Sequence, residues 1–365
     1  MAQREKSERL QALYDSGIRP YSISKLNAID GCLREAFYTY KLHNRGKQSI
    51  YGIMGGKIHD VLEDIYNDRA TGDDLLPALQ RELADADLIG VDFPKDFRGN
   101  NTIRENWVAS MTDFCNNFQK INGDKFTTEQ EIIYKVSDSR YLVGYIDLIS
   151  VIDEADKVID IYDFKTSTQF TSRDLTHHGR QLVLYAMAKE QEGYTVRKAA
   201  WIMLKYVVVS YMGYKTARSK NKTLITKVMQ RSKIATELAP VIENMMFEQG
   251  FEGLEIDMYI SDLKQNKSLS GLPDKIKSQF QFEQYIQEYE MTEENRAEVL
   301  DYINSRADKF EELWSQDEDA WVPVEITEKN SFYCNNLCSH RDICPVVKKF
   351  NELRQTKKEI DDDLF

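Results

Sequence analysis

The periodicity of apolar residues changes about one third of the way along the chain, and this change constrains the fold more than any other feature. Residues 127–136, 141–152 and 158–164 alternate with a period of two and are rich in Ile, Val and Tyr, which predicts three strands. Residues 172–192 then follow a helical period, and 198–210 is a strongly apolar strand. This β-β-β-α-β order predicts an α/β protein with a mixed central sheet and a crossover helix.

The sequence before these strands predicts a helical N-terminal cover. A first helix, capped by Ser22 or Ser24, should extend to about residue 40. Further helical patterns occupy 52–68, 75–87 and 101–122.

After the strands, residues 223–249 and 292–314 again have helical patterns, whereas the polar stretch 264–278 is expected to be a flexible connection. We therefore expect five regions: an N-terminal helical extension (1–20), a core (21–210), a basic segment with a helical insertion (211–330), a cysteine segment that completes the core domain (331–350) and an acidic tail (351–365).

Two carboxylates and an ammonium group fall on two adjacent predicted strands. Asp147 lies in the second strand, which should turn through 153–157 into the strand that ends Asp163-Phe164-Lys165. Because alternate side chains share a face, Asp163 and Lys165 should point together while Phe164 turns into the core. This set can hold a hard divalent cation beside a positive group, an arrangement that phosphodiester hydrolysis can use. It can equally be a ladder of opposite charges across a hairpin.

The distribution of charge is more informative than its sum. The net charge of −12 is unusual for a protein that binds nucleic acid, but the basic residues between 213 and 233 form a long run without acids. Such a run favours contact with phosphates; the alternative is a solvated helix face or a mobile loop. The predicted DNA-binding residues are Lys215, Arg218, Lys220, Lys222, Lys227, Arg231 and Lys233.

The N-terminus is too charged for a signal peptide, and the most apolar region, 199–212, is interrupted by Lys205 and too short to span a bilayer. We therefore expect a soluble cytoplasmic protein that does not contact membranes. A hydrophobic content of 42% supports a full core.

Three of the five cysteines, Cys334, Cys338 and Cys344, crowd into one short segment. In a reducing compartment this spacing favours metal ligation over disulfides. The fourth ligand of a tetrahedral set would come from Cys32, Cys115 or His340, although the apolar neighbours of Cys115 favour a core position. Four cysteines suit either a structural zinc or an iron–sulfur cluster.

The motifs together resemble the RecB-like branch of the PD-(D/E)XK nucleases, over about 21–210 and 331–346. The resemblance is strongest to an iron–sulfur subgroup that includes the AddB nuclease domain and the CRISPR-adaptation nucleases. It implies a restriction-endonuclease-like sheet and a [4Fe-4S] cluster that staples the two ends of the domain through Cys32, Cys334, Cys338 and Cys344. The late cysteines are separated here by three and then five residues rather than two and then five, which leaves zinc or another fourth ligand open.

The same resemblance implies the composition of the metal site. Gly55-Gly56-Lys57-Ile58-His59 matches the helix that carries the family's histidine ligand. One Mg²⁺ or Mn²⁺ would be bound by His59, Asp147, Asp163 and the backbone carbonyl of Phe164.

The resemblance also implies roles for the residues around the metal. Lys165 matches the catalytic lysine, which would orient a water or stabilise charge on the phosphorus. Glu131 matches an acidic position on the first core strand, with Glu129 a rival by register. Gln181 and Tyr185 match the Gln-x-x-x-Tyr signature and would position the lysine or the strand.

The expected function is therefore a metal-dependent DNA exonuclease that acts on single strands or free ends in end processing, recombination or repair. The alternatives are a non-catalytic, metal-stapled module that binds DNA ends, and an end-trimming nuclease of the CRISPR-adaptation type. Residues 52–57 fail the Walker A spacing, so a helicase would have to be a separate protein.

The C-terminal residues 360–365 are acidic and end in Leu364-Phe365. They resemble terminal peptides that dock on a sliding clamp and, more loosely, the acidic tip of single-strand binding proteins. A solvated, frayed terminus is the alternative.

Overall fold

A mixed six-stranded sheet forms the centre of the computed structural model, which describes residues 6–215 and 221–363. Its strands are β1 (Lys125–Lys135), β2 (Tyr141–Asp153), β3 (Val158–Lys165), β4 (Thr195–Gly213), β5 (Thr223–Gln230) and β6 (Phe280–Glu288). The predicted α/β class, the first three strands and the fourth are confirmed, each to within a few residues.

The helices that precede the sheet begin at favourable caps. The side chains of Ser7, Ser22 and Ser49 each accept a hydrogen bond from a backbone N–H in the first turn of their helix. These N-terminal helices are α1 (Glu8–Asp15), α2 (Ile23–Gly31), α3 (Leu33–Ala36), α4 (Ile50–Tyr66), α5 (Leu75–Leu88) and α6 (Thr102–Asn116).

The remaining helices lie between and after the strands. They are α7 (Ser172–Gln191), α8 (Ile234–Glu248), α9 (Gly253–Asn266), α10 (Asp274–Lys277), α11 (Glu293–Trp314) and α12 (Pro345–Asp363). Short π-helical turns at Phe37–Lys41 and Tyr333–Leu337 flank the early and late cysteines.

Strand β4 organises the sheet because it is long enough to pair with three neighbours. β1, β2 and β3 form an antiparallel meander, and β3 then pairs in parallel with the first half of β4 after the α7 crossover. The second half of β4 pairs with β5. β3 and β5 therefore lie one after the other along one edge of β4. Strand β6 pairs with both halves of β4 and so lies along its other edge.

Helices cover both faces of the sheet. On one face α7 and α11 pack with α2 around buried residues such as Ile161, Leu182 and Trp201. On the other face α4, α5 and α6 enclose Phe164 and Ile202. Burial on both faces explains why residues 199–204 of β4 form a continuous apolar run.

The prediction of a helix over 223–249 is wrong in its first third. Thr223–Gln230 is an edge strand whose Val228 pairs with Val208 of β4, and the helix begins only at Ile234. β-branched residues suit this strand, and the polar residues among them match its exposed outer face.

Two further differences arise in the region that precedes α11. Strand β6 was not predicted because its glutamine- and glutamate-rich sequence hides the alternation. The expected flexible connection at 264–278 contains the end of α9 and all of α10, and it is anchored by buried Leu272 and Ile276. The segment 211–330 thus supplies β5, β6 and α11 to the same sheet and core.

None of the helices in the described parts of the chain is long and apolar enough to cross a membrane.

Candidate active site

Four elements meet at the C-terminal end of β3. Asp147 lies on β2, Asp163 and Lys165 end β3, His59 lies on α4, and Gln181 lies on α7. The parallel pairing of Lys165 with Met203 of β4 fixes the end of β3 in the middle of the sheet. The predicted site residues on these elements therefore come together.

Asp163 and Lys165 form an ion pair on one face of β3. The side chain of Asp163 is 2% exposed and that of Lys165 is 23% exposed, so the lysine is the member of the pair that solvent can reach. Phe164 turns to the opposite face and is buried in the cluster formed with α4. The predicted division of the two faces of β3 is confirmed.

Asp147 joins β3 to the histidine of α4. Its Oδ2 accepts a hydrogen bond of 2.8 Å from the backbone N–H of Phe164. The same oxygen lies 3.4 Å from Nδ1 of His59, whose ring meets the edge of the Phe164 ring at 5.9 Å between centroids. These contacts hold an imidazole and two carboxylates in one small volume.

The electrostatics of this volume favour a bound cation. Burial raises the pKa of Asp147 well above its ordinary value, and the charge of Asp163 adds to this, against the opposing effects of Lys165 and the Phe164 amide. Burial lowers the pKa of His59, so its imidazole is in the neutral form that binds metals. For Lys165, burial acts to lower the pKa, but the charges of Asp163 and Asp147 outweigh it and raise the pKa.

Gln181 and Tyr185 lie one turn apart on α7 and connect the lysine to β2. Oε1 of Gln181 is 3.4 Å from Nζ of Lys165, and its amide nitrogen donates to the Tyr185 hydroxyl at 2.7 Å. The Tyr185 ring packs against Gly144, where a Cβ would lie 2.9 Å from the ring. This close approach explains why the position opposite Tyr185 is a glycine.

The structure separates the two glutamates that register alone left open. Glu129 belongs to a group with His59 and Asp147 whose ligand atoms all lie within 4.8 Å of one another. Glu131 instead accepts hydrogen bonds from Ser7, the N-cap of α1, and from the Tyr145 hydroxyl at 3.2 Å. The structure therefore places Glu129, rather than the predicted Glu131, beside His59 and Asp147.

Local backbone geometry explains why Glu129 is the glutamate beside His59 and Asp147. Glu129 has a φ of 50° and interrupts the pairing of β1 with β2 between Thr128 and Gln130. A non-glycine residue in this left-handed region is uncommon and is found preferentially at functional sites. The sequence carries no marker of this φ. The register of β1 against β2 nevertheless places Glu129 opposite Asp147.

The donor set fits a hard divalent cation. Two carboxylates and a neutral imidazole within 4.8 Å of one another need little contraction to reach octahedral geometry, in which opposite ligands are about 4.2 Å apart. Asp163 lies beside this set with its carboxylate turned to Lys165, close enough to raise the pKa of Asp147.

The early and late cysteines also come together. Cys32 lies between α2 and α3, whereas Cys334 and Cys338 are buried in and after the π-helical turn and Cys344 precedes α12. Burial raises the pKa of Cys334, and the charges of Cys32 and Cys344 raise it further. No three of the four sulfurs lie within 4.8 Å of one another among the residues that the structure describes.

Two other candidates for the fourth ligand of the cysteine site differ: Cys115 lies elsewhere, whereas Nδ1 of His340 is buried without a hydrogen-bond partner among the described residues. Cys115 is buried in the core under α4–α6, where burial raises its pKa to about 12. Nε2 of His340 is 2.9 Å from the Thr39 hydroxyl. Cys32 is therefore the cysteine that lies with the three late thiols, and His340 stays open as another ligand.

The basic run of 213–233 is split by the structure. Lys222 pairs with Glu248, and Lys215, Lys227 and Lys233 are exposed around the β4–β5 hairpin. The prediction that Arg231 binds DNA is wrong. Its side chain is buried, donates to Asp113 at 2.8 Å and to the Leu204 carbonyl at 3.0 Å, and cannot reach a phosphate. Arg218 and Lys220, like the tail residues Leu364 and Phe365, lie outside the described residues.

Comparison with known proteins identifies the family. A family model of the PD-(D/E)XK nuclease superfamily matches residues 20–345, whereas no curated protein matches the chain. Since that match spans most of the chain, the protein belongs to the PD-(D/E)XK nuclease superfamily. Its members are metal-dependent phosphodiesterases that typically use Mg²⁺ or Mn²⁺, and a nuclease domain implies DNA as the substrate.

Proposed function

We propose that this member of the PD-(D/E)XK nucleases is a DNA exonuclease that processes single strands or free ends in recombination or repair. The observation that carries the proposal is the convergence of His59, Asp147, Asp163 and Lys165 at the end of β3. An ordinary ladder of opposite charges would be exposed, whereas Asp163 is 2% exposed and Asp147 14%. Two clustered acids of low exposure, with the pKa of Asp147 raised by burial, are typical of functional sites.

The residues divide into ligands and charge-stabilising groups. His59, Glu129 and Asp147, with Asp163 and the Phe164 carbonyl, would hold Mg²⁺ or Mn²⁺, which supplies Lewis-acid polarisation of the phosphate and a more acidic bound water. Lys165 keeps its proton because Asp163 and Asp147 raise its pKa, so it serves as a fixed positive charge toward the developing oxyanion. Gln181 and Tyr185 limit the positions that the ammonium can take.

The direct test is digestion of end-labelled linear and circular DNA, single- and double-stranded, with Mg²⁺ or Mn²⁺. The parent should degrade linear DNA from its ends, and Lys165→Ala or Asp163→Ala should abolish cleavage while the far-ultraviolet circular dichroism stays unchanged. Cleavage at the parental rate by either variant would refute the site. Equal cleavage of circular and linear DNA would refute the exonuclease assignment alone.

The four converging cysteines support a second part of the proposal, an iron–sulfur cluster held by Cys32, Cys334, Cys338 and Cys344. A tetrahedral zinc site with Zn–S bonds of 2.3 Å would hold the sulfurs about 3.8 Å apart. Four thiols brought together can hold either this cluster or such a zinc ion, and the departure from the late-cysteine spacing of the family leaves zinc as the alternative. A metal group held by thiolates suits a reducing compartment such as the cytoplasm, which we propose as the location.

The exposed lysines of the β4–β5 hairpin support DNA contact outside the active site. Lys215, Lys227 and Lys233 have side chains in solvent, and they are the described residues of the basic run that remain available to phosphates. We also propose that any unwinding is done by a separate helicase, which binding assays would test.

We propose in addition that the C-terminal tail docks on a sliding clamp or a single-strand binding protein. Deletion of Leu364-Phe365 followed by binding assays would test this docking.

A further inference from the structure

A cavity of 1030 Å³ lies between α2, the first residues of α7 and the cysteine segment. His177 forms its α7 end. Residues four apart on a helix are neighbours on one face, so His177 lies one turn from Gln181, which contacts Lys165 at 3.4 Å. The cavity therefore leads away from the catalytic lysine toward the segment that carries the late cysteines.

The charges that line the cavity leave one cation available. Asp30 is held by Nε of Arg306 at 2.5 Å, and Glu35 accepts a hydrogen bond of 3.0 Å from the Tyr333 hydroxyl. Arg45 is exposed and makes no ion pair or hydrogen bond with another residue in the described part of the chain. The acids are thus engaged within the protein, whereas the guanidinium is free to meet an anion.

The backbone holds Arg45 in place at the edge of the cavity. The N–H of Lys47 donates to the Ser339 carbonyl at 2.9 Å, and Gly46 adopts a φ of 62° against the same carbonyl. A side chain at Gly46 would collide with the backbone of Ser339. The loop that carries Arg45 is therefore fastened directly to the cysteine segment.

The remaining lining suits bases rather than further phosphates. The rings of Tyr40 and Tyr333 line the walls, and Tyr333 is 45% exposed. Ser24 and Gln48 add exposed polar groups. Aromatic faces beside a cationic group are the usual elements of single-strand binding, because every base can stack on a ring.

We propose that this cavity binds the single strand of the substrate next to the scissile phosphate, with Arg45 on a backbone phosphate and Tyr333 against a base. This inference rests on the proposed nuclease function and assigns strand selectivity to one surface. The volume of the cavity is about that of a large small-ligand site, which suits a few extended nucleotides.

The test compares two substrates, a single-stranded oligonucleotide and bis(p-nitrophenyl) phosphate, which is too small to fill the cavity. Arg45→Ala should raise KM for the oligonucleotide roughly three- to tenfold, and the plot of log affinity against log salt should lose about 0.7 of its slope. The kcat for the oligonucleotide and the rate on the small phosphodiester should not change. Ser24→Trp, which fills the exposed wall, should also raise KM.

Arg81→Ala is the matched control, because Arg81 is an exposed arginine on α5, on the opposite face of the sheet from α7. Unchanged KM and salt slope in both Arg45→Ala and Ser24→Trp, or an equal change in Arg81→Ala, would overturn the inference. If the parent hydrolyses neither substrate with Mg²⁺ or Mn²⁺, the proposed function itself fails, and the two failures are distinguishable.

Discussion

The ring of Tyr185 lies 2.9 Å from the position that a Cβ would take on Gly144, so β2 and α7 can approach each other only at a glycine. Gly144 lies three residues before Asp147 on β2, and Tyr185 is bonded to Gln181, which contacts Lys165. The position of the lysine therefore depends on the contact between this strand and this helix.

Gly144→Ala should displace Tyr185 and weaken both the fold and the catalysis. Overpacking of this kind costs about 1–3 kcal/mol, which urea denaturation would measure, and kcat should fall more than KM rises. Gly253→Ala is the control because a Cβ at that position meets nothing within 4 Å. Parental activity in Gly144→Ala would show that Tyr185 does not position the lysine.

Lys165→Met should lower stability as well as abolish cleavage. It leaves the carboxylate of Asp163, 2% exposed, without its partner, and breaking a buried pair costs about 3 kcal/mol or more. The double variant Asp163→Asn/Lys165→Met should recover part of the lost free energy of unfolding and remain inactive. A single variant as stable as the double would mean that the pair contributes nothing to the fold.

Asp147→Asn should stabilise the metal-free protein at neutral and alkaline pH. Burial and Asp163 raise the pKa of Asp147, so its stabilising contribution is present at acid pH and is lost as the pH rises through the folded-state pKa. In the presence of a chelator, the free energy of unfolding of the variant should exceed that of the parent at pH 8, and the difference should shrink at pH 4.

Metal titration completes this comparison. Mn²⁺ should raise the melting temperature of the parent and have much less effect on Asp147→Asn, because a ligand stabilises only the state that binds it. An Asp147→Asn protein that is less stable than the parent at pH 8 without metal would contradict the electrostatic argument.

Glu129→Gln and Glu131→Gln should separate in their effects. Glu129 lies with His59 and Asp147, so its loss should weaken Mn²⁺ binding, measured by calorimetry, and lower kcat. Glu131 accepts hydrogen bonds from Ser7 and Tyr145, so its loss should mainly loosen the attachment of α1 and lower the melting temperature. The reverse pattern would restore Glu131 as the site residue.

Cys32→Ser and Cys115→Ser form a matched pair for the cysteine site. The purified parent should be brown and contain iron; Cys32→Ser should lose the visible absorbance, and Cys115→Ser, in a separate core, should keep it. A colourless parent that contains zinc would replace the cluster by a zinc ion. Equal iron content in both variants would remove Cys32 from the ligand set.

Periodicity predicted the meander and the crossover helix because β1 to β4 alternate or are apolar throughout, and such patterns depend only on local sequence. It failed at β5 and β6, where pairing with β4 rather than composition decides the conformation. The face of β3 that Asp163 and Lys165 share followed from alternation alone.

The rest of the site depended on contacts that local sequence does not encode. His59 and Gln181 entered through their resemblance to family motifs. The choice of Glu129 depends on a backbone φ of 50°, and the exclusion of Arg231 depends on its burial against Asp113.

Strand β4 sets the distance between the candidate active site and the exposed lysine that follows the strand. Lys165, the proposed catalytic lysine, pairs with Met203, and the exposed Lys215 follows the end of the same strand at Gly213. Ten residues of strand at about 3.3 Å each separate these points by roughly 33 Å. DNA held near Lys215 and cut at Lys165 would therefore have to extend over about this distance, so the enzyme would require a minimum substrate length set by β4.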